Sequence, residues 1–426
     1  MGIPLLKNFA SLFGAEVFSK IITFTAFAYL AHLNGPAGYG YIEWAGTVLM
    51  GASLIVDQGF SAYGAREIAK FPSETRRLVA EVVTARFLLA GIAYVAIVIF
   101  AFWFVIEPAV ARLLLVYGLS LWSLPLLLQW VFQGHDRMHL VGAAQAVRQI
   151  VFVVAVFVFV RSVGDLVWIG IAEVAGVSAA ALFSVWMYRR YFPSNSWPRP
   201  ALSAKLFREA TPIGLSQMFW VLKMFGATFI VGLIATAEDT GYFAGAMRIY
   251  IALHTFVWLY YFNMLPSLSR AWEQGIEQLA GMIRHSIWIV GLVSLVGGII
   301  WITAAPFIMT KVYGSNFLPG SGVLQWLAGA CIAAAFSGHY RYGLIAAGFQ
   351  RKEMFATAIG SIIAVTLIPV AYFKAGINGA AAALFIAEVV VLVCSWLAAQ
   401  RNLFGRSGNG FTANESPLKT VPEAMQ

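Results

Sequence analysis

Runs of some twenty predominantly apolar residues follow one another from Phe9 to Gln400 with only short polar breaks, and this feature limits the fold more tightly than any other. The hydrocarbon core of a bilayer is about 30 Å thick, and a helix rising 1.5 Å per residue crosses it in roughly 20 residues. In lipid every backbone N–H and C=O must be satisfied within its own segment, so runs of this length span as helices. Barrel strands are roughly ten residues long and alternate in polarity. The fold class is therefore all-α, a polytopic membrane protein. Composition agrees, since 60% of the 426 residues are hydrophobic and only 11% are charged, which leaves little chain for a water-solvated domain.

Twelve spans are expected, over residues 9–32, 41–62, 79–106, 112–133, 141–160, 165–188, 207–234, 242–265, 283–307, 322–348, 354–373 and 378–400. Ala26-Phe27-Ala28 resembles a signal-peptidase site, but Glu16 and Lys20 interrupt the stretch before it, whereas a signal has an unbroken apolar centre. The first span is read as uncleaved.

The formal net charge is +9, yet its distribution points to topology rather than to nucleic acid. Arg66, Lys70, Arg76 and Arg77 follow span two, Arg137 follows span four, and Arg189, Arg190, Arg199, Lys205 and Arg208 follow span six. Arg270 follows span eight, and Arg351 with Lys352 follow span ten. The opposite loops hold only Arg112, Arg161, Lys311 and Lys374, besides Glu238 and Asp239. Cation-rich loops stay in the cytoplasm, which places both termini there. Cys331 and Cys394 fall within spans, so neither a disulfide framework nor a metal site is expected, and no cofactor is called for.

The longest break, Tyr191 to Ser203, is rich in proline and serine and divides the spans six and six. The two halves share signals at matching places. Ile171-Ala172-Glu173 and Ile386-Ala387-Glu388 lie in spans six and twelve, Gly38-Tyr39 and Gly241-Tyr242 open spans two and eight, and Gln133-Gly134 and Gly348-Phe349-Gln350 close spans four and ten. Duplication accounts for this, and an even number of spans per half sets both halves in the membrane in the same sense. The expected organisation is an N-terminal six-helix lobe (1–190), a cytoplasmic linker (191–206), a C-terminal six-helix lobe (207–401) and a disordered cytoplasmic tail (402–426), with a cavity between pseudo-symmetric lobes.

Ionisable residues at mid-membrane cost at least about 2.5–3.5 kcal/mol each, so they face protein or a wet cavity. The spans or their inner ends hold Glu16, Lys20, Glu43, Asp57, Glu81, Arg86, Arg148, Glu173, Lys223, Arg248, Arg341 and Glu388. Glu16 and Lys20 lie four apart, the spacing of a helical ion pair. Lys223 lies about 24 Å along its helix from the cytoplasmic end, and Arg248 about two turns inside the opposite face; neither has an acidic neighbour at helical spacing. Both are candidates to bind an anion such as phosphate, with a bridge from Arg248 to Glu43 as the competing reading. Arg86, Arg148 and Arg341 sit about two turns from the cytoplasmic ends, where snorkelling to the interface competes with substrate contact. Asp57 is in reach of Arg66 or Arg86. Glu173 and Glu388, at matching repeat positions, suit a shared structural role or ion coupling. Trp220, Trp258, Tyr260 and Tyr261 could stack on sugar rings, although Trp and Tyr also concentrate at membrane interfaces.

Several of these segments carry a family resemblance. Leu33-Asn34-Gly35-Pro36-Ala37-Gly38-Tyr39-Gly40, Asp57-Gln58-Gly59-Phe60 running to Gly64-Ala65-Arg66-Glu67-Ile68-Ala69, Gly241-Tyr242-Phe243-Ala244-Gly245-Ala246-Met247-Arg248, Val312-Tyr313-Gly314 and Gly376-Ile377-Asn378-Gly379-Ala380-Ala381 resemble, in order and position, the polysaccharide flippases of the multidrug/oligosaccharidyl-lipid/polysaccharide superfamily. The resemblance implies two six-helix lobes, alternating access and a substrate of oligosaccharide on undecaprenyl pyrophosphate, flipped outward for surface polysaccharide synthesis. It also implies membrane lipids, a polysaccharide polymerase and assembly proteins as partners. The near balance of acidic and basic groups within the spans departs from a strongly cationic cavity. A multidrug exporter of the same superfamily is the alternative, with Glu43 and Asp57 as its cation-binding groups. An enzyme is not expected, because no long outer loop, paired acidic motif or metal-ligand cluster is present.

Overall fold

In the computed structural model, residues 3–192 and 197–404 are described; of these, the side chains before Ile22 and those of Ser216, Trp220 and Lys223 are not. The described chain is helical throughout, with no strand among the described residues: α1 (Ile3–Asp57), α2 (Phe60–Lys70), α3 (Thr75–Trp103), α4 (Pro108–Leu119), α5 (Gln129–Gly134), α6 (Met138–Phe159), α7 (Leu166–Tyr191), α8 (Ala204–Ile234), α9 (Ala237–Gln274), α10 (Ile276–Tyr313), α11 (Ser321–Ala346) and α12 (Gln350–Ala399).

Two of these helices are too long to cross a bilayer once. At 1.5 Å per residue the 55 residues of α1 would extend roughly 80 Å. The helix is broken at Gly35, whose φ of 65° and ψ of −176° suit a residue without Cβ, and Pro36 follows. α12 is broken likewise at Ala375 and Gly376, the latter at φ 60°. With these halves counted separately and α4 to α5 taken as one run, twelve helical segments of membrane-crossing length appear among the described residues. Seven helices among the described residues combine the length and hydropathy of a span without such division, and an eighth is α8, taken across its bend.

The expected span over 112–133 is interrupted. α4 stops at Leu119, short 3₁₀ turns cover Ser120–Trp122 and Leu124–Leu126, and α5 resumes at Gln129. Pro125 lacks the donor a continuing helix needs, and Ser120 turns its hydroxyl onto the Tyr117 carbonyl at 2.7 Å. Span two also ends earlier than expected. α1 stops at Asp57, Gln58 and Gly59 adopt positive φ, and the amphipathic α2 buries Phe60, Tyr63, Gly64 and Ile68 while Arg66 and Lys70 face outward. Gly59 lies against the backbone of Gly214 in α8, where a Cβ would come within 2.5 Å of the Gly214 nitrogen.

Two compact units divide the chain, Met1–Phe225 and Gly226–Gln426. In the first, residues of both α1 segments (Leu30, Ile42) join Ala90, Leu113, Phe152 and Ile169 in one core, while Phe60, Val82, Trp130, Tyr188 and Leu206 form another. In the second, α11 is the central helix, packed against α9, α10 and α12. The run Ala333, Ala334, Ala335 and Gly338 permits this close approach. Residues 400–404 continue as a π turn, with Leu403 buried against Leu279 and Leu344; the remainder of the expected tail lies outside the described residues. The outer faces are apolar. On α10 the exposed Trp288, Leu292, Val296, Ile299 and Ile300 recur at helical spacing, as do Leu88, Ile92, Val95, Ile99 and Trp103 on α3. Such stripes suit lipid tails, not water.

Candidate functional site

The polar groups inside this apolar chain fall into clusters, each held by helices of a single unit. A cluster with space beside it lies in the first unit. Arg148 is about 15 Å along α6 from Met138, and α7, packed alongside α6, presents Glu173. Arg148 Nη2 donates to Glu173 Oε1 at 2.6 Å, with the Arg148 side chain one-third exposed. Next to it, the Thr23 hydroxyl of α1 donates to Gln149 Oε1 at 2.8 Å. These four residues line a cavity of about 280 Å³, with the rings of Phe27, Tyr117 and Phe152 also on its wall. Phe27 and Phe152 stack with their centroids 5.9 Å apart.

A second cluster closes the junction of α1 and α2. Asp57 Oδ1 accepts from the Ser61 hydroxyl at 2.8 Å and from its N–H at 3.3 Å. Arg86 of α3 donates to the same oxygen, to Ser61 Oγ at 2.5 Å and to the Leu127 carbonyl at 3.4 Å. The broken stretch between α4 and α5 thus supplies an acceptor that a regular helix would keep for itself. Arg86 is only 5% exposed, so it ends on Asp57 rather than snorkelling to water. Arg66, the other partner considered for Asp57, pairs with Glu67 instead.

In the second unit, Arg341 of α11 forks onto Glu353 of α12, with Nε and Nη2 at 2.8 and 2.6 Å from Oε1, and the Thr357 hydroxyl donates to that oxygen at 2.8 Å. Glu388 is buried, takes a hydrogen bond from Tyr250 and lies near Cys331 and Arg341. Tyr261 donates to the Ala335 carbonyl and meets His339 Nδ1 at 2.8 Å. Tyr260 bonds Ser286 at 2.7 Å, and Trp258 stacks on Phe262; these aromatics are engaged with neighbouring protein groups.

The structure therefore brings Arg148 to Glu173 and Asp57 to Arg86, and gives Arg341 a partner in Glu353. It sets Glu388 beside Tyr250. Glu43 and Arg248 are half-buried on α1 and α9. The side chains of Glu16, Lys20 and Lys223 lie outside the described residues, as does that of Trp220. Sequence reasoning missed Glu353, Gln149 and Tyr250. Glu353 stands in the first turn of its helix, where an acidic residue reads as an ordinary N-terminal charge. Gln149 and Tyr250 carry no charge to mark them within a span.

Outside the spans, His135 follows α5, and Thr75 Oγ1 meets its Nε2 at 2.9 Å. Burial, with the Arg137 charge adding, holds its pKa below the ordinary value. Asp165, before α7, accepts from the Ser162 hydroxyl at 2.7 Å, and these Ser162 hydrogen bonds hold its carboxyl below the usual range. Among the described residues no group of three or more His, Cys, Asp or Glu side chains is placed to hold a metal ion.

Residues 5–272 match the family described as polysaccharide biosynthesis protein. A candidate O-antigen transporter of Shigella dysenteriae is 23% identical over 190 residues, which is 43% of this chain, and the chain spans about half, 47%, of that relative's length. The fold is that of several solved transporters. An inward-facing multidrug resistance MATE family transporter of the MOP superfamily superposes with a TM-score of 0.73 at 14% identity, covering 92% of this chain and 96% of its own. The lipid II flippase MurJ in an inward closed conformation gives 0.68 at 12% identity, covering 92% and 87%. A MOP superfamily transporter from Pyrococcus furiosus gives 0.60 at 16% identity, covering 92% and 93%.

Proposed function

The chain belongs to the family of polysaccharide biosynthesis proteins, and from that premise we propose that it is a flippase, carrying a lipid-linked oligosaccharide from the cytoplasmic to the outer leaflet for surface polysaccharide synthesis. The observation that carries the transport reading is a cavity of about 280 Å³ holding the Arg148–Glu173 pair, in a unit whose helices also carry exposed apolar stripes. A membrane protein retains intramembrane charge and space together where a polar cargo must pass.

In this reading the carrier is undecaprenyl pyrophosphate. Its lipid tail stays in the bilayer while the sugar crosses a wet interior by alternating access of two pseudo-symmetric lobes, residues 1–190 and 207–401. The linker 191–206, the tail 402–426 and both termini are cytoplasmic, in the inner membrane. Lys223 and Arg248 serve as the anion contacts, supported by their depth in spans seven and eight, since cations held out of bulk water attract phosphate strongly. Lys20 is a further candidate. Arg86, Arg148 and Arg341 each end on a carboxylate, so they support the walls of the pathway before they hold substrate. Outward movement of an anion in an inside-negative cell releases about 2.3 kcal/mol per charge per 100 mV, enough to bias export without a coupling ion.

The same pairs weigh against a multidrug exporter. Cationic cargo needs an available carboxylate, and Asp57, one of the two groups that reading relies on, already holds Arg86. The deciding experiment deletes the gene and measures lipid-linked oligosaccharide by leaflet. Accumulation on the cytoplasmic side with loss of surface polymer is expected. Intact polymer with raised drug sensitivity would move the reading to the exporter.

A further inference from the structure

We infer that the cavity among α1, α4, α6 and α7 of the first unit is a recognition site for one uncharged sugar ring of the transported glycan.

Size is the first argument. A cavity of about 280 Å³ takes a pyranose together with bridging waters, since seating one water needs only ~10–15 Å³ by this measure.

Charge is the second. Of the described lining residues only Arg148 and Glu173 are of basic or acidic type, and they pair across 2.6 Å. A pyrophosphate entering here would meet the Glu173 carboxylate beside Arg148, and an organic cation would meet the Arg148 guanidinium. A neutral ligand meets neither penalty.

Hydrogen-bonding capacity is the third. Each sugar hydroxyl is both donor and acceptor, so its site needs both kinds of group at fixed positions. Arg148 has five N–H donors and spends one on Glu173; Glu173 offers acceptors; Gln149 has an amide N–H₂ left to donate while its Oε1 receives Thr23. The ion pair and the Thr23 to Gln149 bond hold these planar groups in place before any ligand arrives, which lowers the ordering cost of binding. Phe27, Tyr117 and Phe152 also line the cavity and make part of its wall apolar.

The flippase reading supplies the source of this ring, whereas its chemistry rests on the cavity alone. The test uses the full-length protein with Cys331→Ala and Cys394→Ala, and a single reporter thiol, Ser53→Cys or Met50→Cys, on the half-buried cavity wall. Maleimide labelling rates are measured with a panel of neutral methyl glycosides, with sorbitol as an acyclic control and with inorganic pyrophosphate. At least one glycoside is expected to slow labelling tenfold or more at millimolar concentration, where sorbitol and pyrophosphate do not. Gln149→Leu should abolish that protection while leaving the unliganded labelling rate within twofold. The inference is overturned if no glycoside outperforms sorbitol, if pyrophosphate alone protects, if Gln149→Leu leaves protection intact, or if neither thiol is reachable without ligand. Glycoside protection alongside normal surface polymer in the deletion strain would remove the flippase reading and leave the sugar site. Lost polymer with no protection would do the reverse.

Discussion

Replacing Asp57 with alanine strands a guanidinium that has almost no access to water. Arg86 is 5% exposed at its side chain, against 25% for Asp57. Its remaining acceptors would be Ser61 Oγ and the Leu127 carbonyl, neither of which carries charge. Removing one partner of a buried pair costs about 3–5 kcal/mol. Solvent reaches the Asp57 end, which favours the lower figure. At 1.4 kcal/mol per tenfold, ~3 kcal/mol lowers the folded-to-unfolded ratio by roughly two orders of magnitude. The double change Asp57→Leu with Arg86→Met removes both charges and should recover most of that loss, because an apolar pair of similar volume is often neutral or better. Unfolding of the native protein, of Asp57→Leu and Arg86→Met singly and of the double variant in a mixed-micelle denaturant series, analysed as a double-mutant cycle, measures the coupling directly. A single mutant as stable as the native protein, or a double mutant worse than the single one, would refute the claim that this pair locks the α1–α2 junction.

Other consequences follow from the same contacts. Gly64→Ala places a Cβ 2.5 Å from the Trp130 ring and should cost about 1–3 kcal/mol by overpacking, whereas Gly51→Ala, with no atom within 4 Å of the new carbon, should be neutral or slightly stabilising; melting temperatures of the two variants check this. Arg341→Lys loses the fork onto Glu353 and should weaken transport less than Arg341→Ala, in a complementation assay at equal protein level. His135 has a folded pKa depressed by burial and Arg137, so the unfolded chain takes up its proton first as pH falls. Stability should decline as pH drops through the ordinary histidine value of about 6.5 and level off below the depressed folded value; His135→Gln should flatten that part of the Tm profile.

What the sequence revealed and what it concealed have separate physical causes. The segments were legible because lipid imposes a minimum apolar length, and the breaks at Gly35-Pro36 and Ala375-Gly376 fall between segments already separated by that length. The interruption within 112–133 was not, because Pro125 sits in an otherwise apolar run and proline in a membrane helix can be accommodated by neighbours. Intramembrane charges stood out singly, yet their partners did not. Arg148 and Glu173 are 25 positions apart, Arg86 and Asp57 are 29 apart, and only helix packing brings them together. The cavity depends on uncharged Thr23, Gln149 and three rings from separate helices, so no local pattern announces it.

The central claim is translocation of a lipid-linked sugar, and purified protein in liposomes tests it most directly. Lipid-linked oligosaccharide is placed in one leaflet, and its exposure to a membrane-impermeant glycosidase is followed at the other, with and without an inside-negative potential. The account predicts protein-dependent exposure, lost in the Lys223→Ala and Arg248→Ala variants. Exposure no faster than in protein-free liposomes, with the protein folded and correctly inserted, would contradict it.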